Sequence, residues 1–436
     1  MKKINFLFAA IAAVGLAACS SEEVASVQDL QQGLQTSQSI AFSPLSKNST
    51  RSTVLNSTSD MTSFKVRGTW YAAQAAGDIY INGQKVAIAA VAAGDEYKGQ
   101  VKETATAGKY ELGTGFGTGI EIVNNSGAWN YKNSSDTQYW PFVAQVSATD
   151  NIKITGYSCL PLNFNAVTPA NLGNSFDLAT KQFAYTNATA PAVADMVDIC
   201  YADTTNMTNA NAPVTLTFKH LFSQVIVKAK KASDYTVDIK SVQINGMKFN
   251  GTANMTNKPL QWSATGDATS YYAYGSASAT TAYSIPASAA NEAPAKMTPA
   301  GQELLLIPQT IAKWVPETDG KATATDGLTK GWIAITYRAK KSDASAWATG
   351  TDAEGYTTTY FPLQATWKAG KIYAYTLLFG GVADPEDPGT DPENPDPGND
   401  NPGGFDEDGN PEAPSVAITF TAKVDDWTSE NVDITF

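Results

Sequence analysis

The chain has 436 residues, 43% of them apolar and 10% aromatic, with a formal net charge of −12. That length exceeds one ordinary domain, and the apolar content suffices for two or three cores. The charge is concentrated: Asp384 to Glu412 holds 11 acidic residues and no basic one, so removing those 11 charges from −12 leaves −1 for the rest. A nearly neutral body carries no footprint for nucleic acid or an anionic membrane surface. Frequent Thr, Tyr, Val, Ile and Trp, with 33 Gly, 21 Pro and few long Leu/Glu/Lys runs, predict an all-β protein.

Met1-Lys2-Lys3 and the apolar run Ile4–Ala18 have the charged start and short apolar stretch of a secretory signal, too short for a stable membrane span. The run closes on Leu16-Ala17-Ala18-Cys19, which resembles the bacterial lipobox. That resemblance implies cleavage before Cys19 and a lipid anchor on it, at the outer membrane or cell surface. Ser20-Ser21-Glu22-Glu23 resembles the acidic tetrad of surface-exported lipoproteins in Bacteroidetes-type bacteria. Each buried acyl methylene would add about 0.8 kcal/mol of anchoring. Residues 1–18 are thus the expected signal peptide, and 19–38, rich in Ser and Gln, a flexible tether. The remaining Cys159 and Cys200 either form a disulfide or stay as two buried thiols on neighbouring strands; both readings stand at this level.

Ser39–Ser43 alternates as a short strand stopped by Pro44, and the polar run Lys47–Thr53 carries Arg51, which reads either as a protease target or as ordinary solvated surface. Strands are expected at Phe64–Trp70, and at Asp78–Ile81 and Lys85–Ile88, which face each other across Asn82-Gly83, a pair that tolerates the positive φ of a tight hairpin. Gly119–Val123, Ala128–Lys132, Val143–Ser147, Ile152–Cys159 and Met196–Tyr201 follow, and a first sandwich, residues 39–213, closes there. Val214–His220 and Gln224–Lys230 open a second, residues 214–382. In it Val237–Ile244 is expected to pair with Met247–Phe249 around Asn245-Gly246, and Thr265–Gly301 reads as a low-complexity surface insertion. Leu304–Gln309, Gly331–Tyr337, Tyr356–Pro362 and Tyr373–Phe379 complete it.

Residues 383–414 form an acidic, Pro-rich linker that should behave as a semi-stiff spacer. Its Asp406-Glu407-Asp408-Gly409-Asn410 lacks the ligand spacing of a calcium loop. Beyond it, residues 415–436 alternate again: Val416, Ile418, Phe420, Ala422 and Val424 share one face, Trp427 follows, and Val432, Ile434 and Phe436 resume the pattern. A strand on a tether has unpaired backbone groups and must complete some sheet.

No P-loop, dinucleotide fingerprint or Cys/His zinc spacing is present, so no cofactor and no metal is expected. His220 is the one histidine, read as structural, and a His-based catalytic triad has nothing to draw on; no enzyme activity and no catalytic residue is expected.

Several stretches together resemble the fimbrillin family, the lipoprotein pilins of type V pili. They are the lipobox at Cys19, the strand-then-Arg segment up to Arg51, Tyr139-Trp140-Pro141, Phe218-Lys219-His220-Leu221, Ile307-Pro308-Gln309, Trp367–Tyr375 and Val424-Asp425-Asp426-Trp427. The resemblance implies two tandem transthyretin-like antiparallel β-sandwiches. It also implies assembly by strand exchange: an Arg-specific protease cuts at Arg51, the Ile40–Ser43 strand leaves, and a neighbouring subunit's C-terminal segment, here Val416, Ile418, Phe420, Val424 and Trp427, fills the groove. The implied partners are other fimbrial subunits, the outer membrane through Cys19, and that protease. The alternative is a surface glycan-binding lipoprotein that stacks sugars on Trp129, Trp140, Trp262, Trp314 or Trp347.

Overall fold

The computed structural model describes residues 39–46, 61–381 with short breaks, 408, 410 and 418–426. The described chain is almost entirely β-structure; its one α-helical element is a single turn, Pro316–Asp319. Among the described residues no helix is long and apolar enough to cross a membrane.

A first seven-stranded sheet has the order Phe42–Ser46, Val214–His220, Cys200–Met207, Leu162–Thr168, Ser63–Trp70, Ile120–Asn125 and Ala128–Tyr131. The alternation of Val214–His220 is obeyed: Val214, Leu216, Phe218 and His220 are buried, while Thr215 and Lys219 face water. Ile40, Phe42, Phe64, Val66, Trp140, Leu162, Phe164 and Phe218 meet in the core this sheet covers. A four-stranded sheet has the order Ile154–Cys159, Phe142–Val146, Gly77–Ile81 and Gln84–Ile88, and the last two strands pair as expected, with Ile81 opposite Gln84; Asn82 and Gly83 lie outside the described residues.

The second core lies between a sheet built on Tyr235–Asn254, Trp332–Lys341 and Thr357–Pro362 and one built on Ser223–Lys231, Lys371–Phe379 and Ile418–Asp426. Most ladders are antiparallel, but Phe42–Ser46 runs parallel to Val214–His220, and Ser223–Lys231 parallel to Lys371–Phe379.

Four local expectations are corrected. The N-terminal strand is Phe42–Ser46, not Ser39–Ser43, and runs through Pro44. Proline lacks the donor a central strand needs, but this strand is outermost in its sheet. Val214–His220 belongs to the first sheet rather than opening the second region. The chain leaves the first sheet after Thr168, pairs Gln182–Tyr185 with Tyr235–Asn254 in the second, and returns at Cys200. Thr265–Gly301 is not a surface insertion throughout: Gln261–Gly275 is a fifteen-residue partner of Tyr235–Asn254, with Tyr271 and Ala273 buried, and Ile285 and Met297 also enter the core. Its Thr, Tyr and Ser suit a pleated surface however simple the composition.

The fourth correction concerns Asn245-Gly246, which makes no hairpin: Tyr235–Asn254 is one continuous strand of 20 residues. Both Asn-Gly turns and bulges need positive φ, and here Gly246, at φ +92°, sits at a register shift between Asn245 and Met247. A Cβ on Gly246 would lie 2.7 Å from the Lys330 carbonyl oxygen, and that same oxygen accepts a 2.7 Å bond from Asn245 Nδ2. Close backbone approach, not reversal, fixes the glycine. Gly246→Ala should therefore cost about 2 kcal/mol. Gly94→Ala, at φ +84° but with nothing within 4 Å, isolates the dihedral part at about 1 kcal/mol. Equal urea midpoints for the two variants would contradict the contact account.

Candidate assembly interface

Both terminal strands lie at sheet edges. The N-terminal one pairs Phe42 with Val214 through Ser46 with Phe218. Its approach is held by three hydrogen bonds to groups far away in sequence: the Ile40 N–H donates to the Gln138 carbonyl at 2.8 Å, the Val214 N–H to the Ala41 carbonyl at 2.8 Å, and the Tyr131 hydroxyl to the Ile40 carbonyl at 2.8 Å. Burial pushes the Tyr131 phenol strongly upward, so it stays a donor at any physiological pH.

Ile40 is 1% and Phe42 5% exposed. The Phe42 ring meets Phe164 at 5.5 Å, Phe64 at 6.1 Å and Tyr131 at 6.4 Å, all edge-on. Edge-to-face pairs add about 0.5–1.5 kcal/mol beyond their buried area. This strand fills a slot in the first core, and its departure would bare both an apolar groove and the backbone edge of Val214–His220.

The C-terminal strand, Ile418–Asp426, lies antiparallel on Lys371–Phe379 over nine positions, from Ile418 opposite Phe379 to Asp426 opposite Lys371. Phe420 stands opposite Leu377 and Val424 opposite Tyr373, and Ile418 is fully buried in the second core. Cys19, Arg51, Val416 and Trp427 lie outside the described residues. In the linker, Asp408 pairs with Lys321.

The five tryptophans weighed for sugar stacking sit in packed settings. Trp140 and Trp314 are fully buried. Trp129 packs on Phe64 at 5.2 Å. Trp262 stacks on Phe222 at 5.6 Å and donates its Nε1–H to the Leu221 carbonyl at 2.8 Å. The Trp347 ring is covered by the Arg338 guanidinium at 4.2 Å.

Cys159 and Cys200 are free thiols, and their strands belong to different sheets, which also corrects the neighbouring-strand reading. Burial pushes the Cys159 thiol from 9.0 up to about 11, against a weak opposing bond from the Asn209 N–H. Its thiolate fraction at pH 8 is then about a hundredfold lower than that of an ordinary thiol. Alkylation of Cys159 in a Cys200→Ala variant should slow by that factor on folding; equal rates in folded and urea-unfolded protein would refute it.

Sequence reasoning missed Tyr131 and Gln138 as the groups that clamp the N-terminal strand, because both act from about ninety residues away and neither has a local signature.

No curated protein matches the chain. Among solved structures, a fimbrial protein from Bacteroides vulgatus is similar at 12% identity and TM-score 0.39, covering 72% of this chain and 88% of that one. A fimbrilin from Porphyromonas gingivalis is similar at 11% identity and TM-score 0.32, covering 91% of this chain and 99% of that one. The fimbrillin-like family model matches residues 75–390, most of the chain's length. The chain belongs to the fimbrillin-like family.

Proposed function

We propose that this protein is a structural subunit or an accessory or tip adhesin of a type V-like fimbria, anchored through Cys19 and assembled by protease-triggered strand exchange, with no enzymatic role. The observation that carries this reading is the placement of the two terminal strands. Each is outermost in its sheet, and the N-terminal one supplies Ile40 and Phe42 to a core from which it can be withdrawn without breaking any other ladder. Cleavage after Arg51 would leave Phe42–Ser46 held by its single ladder, the Ile40 hydrogen bonds to Gln138 and Tyr131, and side-chain packing, and a neighbour's residues 415–436 would replace it.

The linker supports donation between subunits. Phe379 and Ile418 are directly opposite, a gap that a turn of two to five residues could bridge, yet 38 residues (380–417) join them. At about 3.1 Å per residue, a Pro-rich segment of that length reaches on the order of 120 Å. Docking on its own sheet does not require such reach, and a tether of this length leaves the strand able to dock on another molecule. In this reading the cis strand is the stored form of the donor.

The test is treatment of the purified chain with an Arg-specific protease, followed by SDS gels of unboiled samples. Resistant ladders are expected from the wild type and none from Arg51→Ala. Ladders of equal intensity from both would show that cleavage at Arg51 does not trigger assembly.

A further inference from the structure

The one histidine of the chain sits in a buried cluster that the assembly account does not use. Cys200 and His220 are direct cross-strand partners, and Asp198, two residues before Cys200, projects to the same side. Their donor atoms converge: His220 Nδ1 is 2.8 Å from Asp198 Oδ2 and 3.3 Å from Cys200 Sγ, and Cys200 Sγ is 3.9 Å from Asp198 Oδ2. All three residues are buried. A nucleophilic thiol is excluded by the geometry, because thiol and carboxylate face the same ring nitrogen, whereas a relay needs them on opposite nitrogens. Burial and the Asp198 carboxylate also push the Cys200 thiol well up, which keeps it inert as a nucleophile.

We propose that Asp198, Cys200 and His220 form a binding site for a borderline divalent transition-metal ion, with Zn²⁺ the best fit to one sulfur, one nitrogen and one oxygen donor. Bonds of about 2.0 Å to nitrogen and oxygen and about 2.3 Å to sulfur close on these three atoms at angles of roughly 89°, 100° and 130°, scattered around the tetrahedral value. The fourth position is left for water. The charges balance: a divalent cation, a thiolate and a carboxylate sum to zero, so the buried site carries no net charge. On binding, the thiol proton is released to solvent, and the proton that Nδ1 donates to Asp198 Oδ2 in the metal-free site moves by way of solvent to Nε2, which frees Nδ1 to ligate. His220 also lines a cavity of about 520 Å³ together with Tyr201, Phe218, Lys219 and Gly370, which brings one edge of the cluster beside open space. The ion would pin the point where the chain passes between the two cores, because Ile199 and Tyr201 belong to one core and Cys200 to the other.

The experiment titrates the reduced, metal-stripped full chain with Co²⁺, whose thiolate charge-transfer absorption reports sulfur coordination. Saturation at one equivalent is expected, with displacement by Zn²⁺ and a Zn²⁺-dependent rise in melting temperature. The band should persist in Cys159→Ser and vanish in Cys200→Ser. Asp198→Asn, checked for folding by circular dichroism, keeps a hydrogen-bonding group and should weaken binding at least about tenfold. No band in the wild type at stoichiometric Co²⁺ overturns the proposal, whatever the variants do. A band that survives in folded Cys200→Ser, or an Asp198→Asn variant that binds as tightly as the wild type, overturns it as well.

Discussion

Ile418→Asp should detach the C-terminal strand from the second core and lower stability by on the order of 4 kcal/mol. Ile418 is fully buried opposite Phe379, at the point where the strand enters the core. A carboxylate there has no place in an apolar cluster, so it must either protonate or drag the strand out. Because the strand is outermost in its sheet, leaving is the cheaper response, and the Ser223–Lys231 and Lys371–Phe379 ladder should survive. Hydrogen exchange checks this: amides of residues 418–426 should lose protection while those of Ser223–Lys231 keep most of theirs. Uniform loss across both would mean that the strand is an integral part of the second core rather than a separable edge.

At the other end of the chain, Phe42→Ala should cost about 3–4 kcal/mol, the range for a buried aromatic cut to a methyl group. The ring touches Phe64, Phe164 and Tyr131, none of which can collapse far into the space it leaves, because each is fixed in a strand or in the Tyr131–Ile40 hydrogen bond. The neighbouring Ser43→Ala, at a half-buried position on the opposite face, should stay within about 0.5 kcal/mol. If the N-terminal strand is the removable element, Phe42→Ala should also make cleavage at Arg51 faster, since the strand's open state becomes more populated. An unchanged cleavage rate with the full loss of stability would separate the core role of Phe42 from the proposed release step.

The all-β class, the Val214–His220 alternation and the pairing of Gly77–Ile81 with Gln84–Ile88 were legible because each depends on residues within a few positions of one another. The failures have a common cause in distance along the chain. Asn245-Gly246 carries the same φ preference whether it turns or bulges, and the choice is made by the backbone at Lys330, 85 residues on from Asn245. The passage of residues 176–199 into the second core cannot be read from periodicity, since a strand's pattern says which face is buried but not against which sheet. The metal-type cluster escaped for a similar reason: Asp198-x-Cys200 has no recognisable partner spacing until strand pairing brings His220 across. The terminal strands were the opposite case. Alternation bounded by polar or Pro-rich sequence marked both, although Pro44 was misread as a stop because edge and central strands look alike in sequence.

In the strand-exchange reading, the slot of the N-terminal strand and the C-terminal strand are complementary. A synthetic peptide of residues 415–436, added to the chain before and after cleavage at Arg51, probes that fit. A one-to-one, SDS-resistant complex with the cleaved protein is expected, with release of the N-terminal fragment and no capture by the uncleaved protein. Equal binding to both forms, or retention of the N-terminal fragment alongside bound peptide, would contradict it.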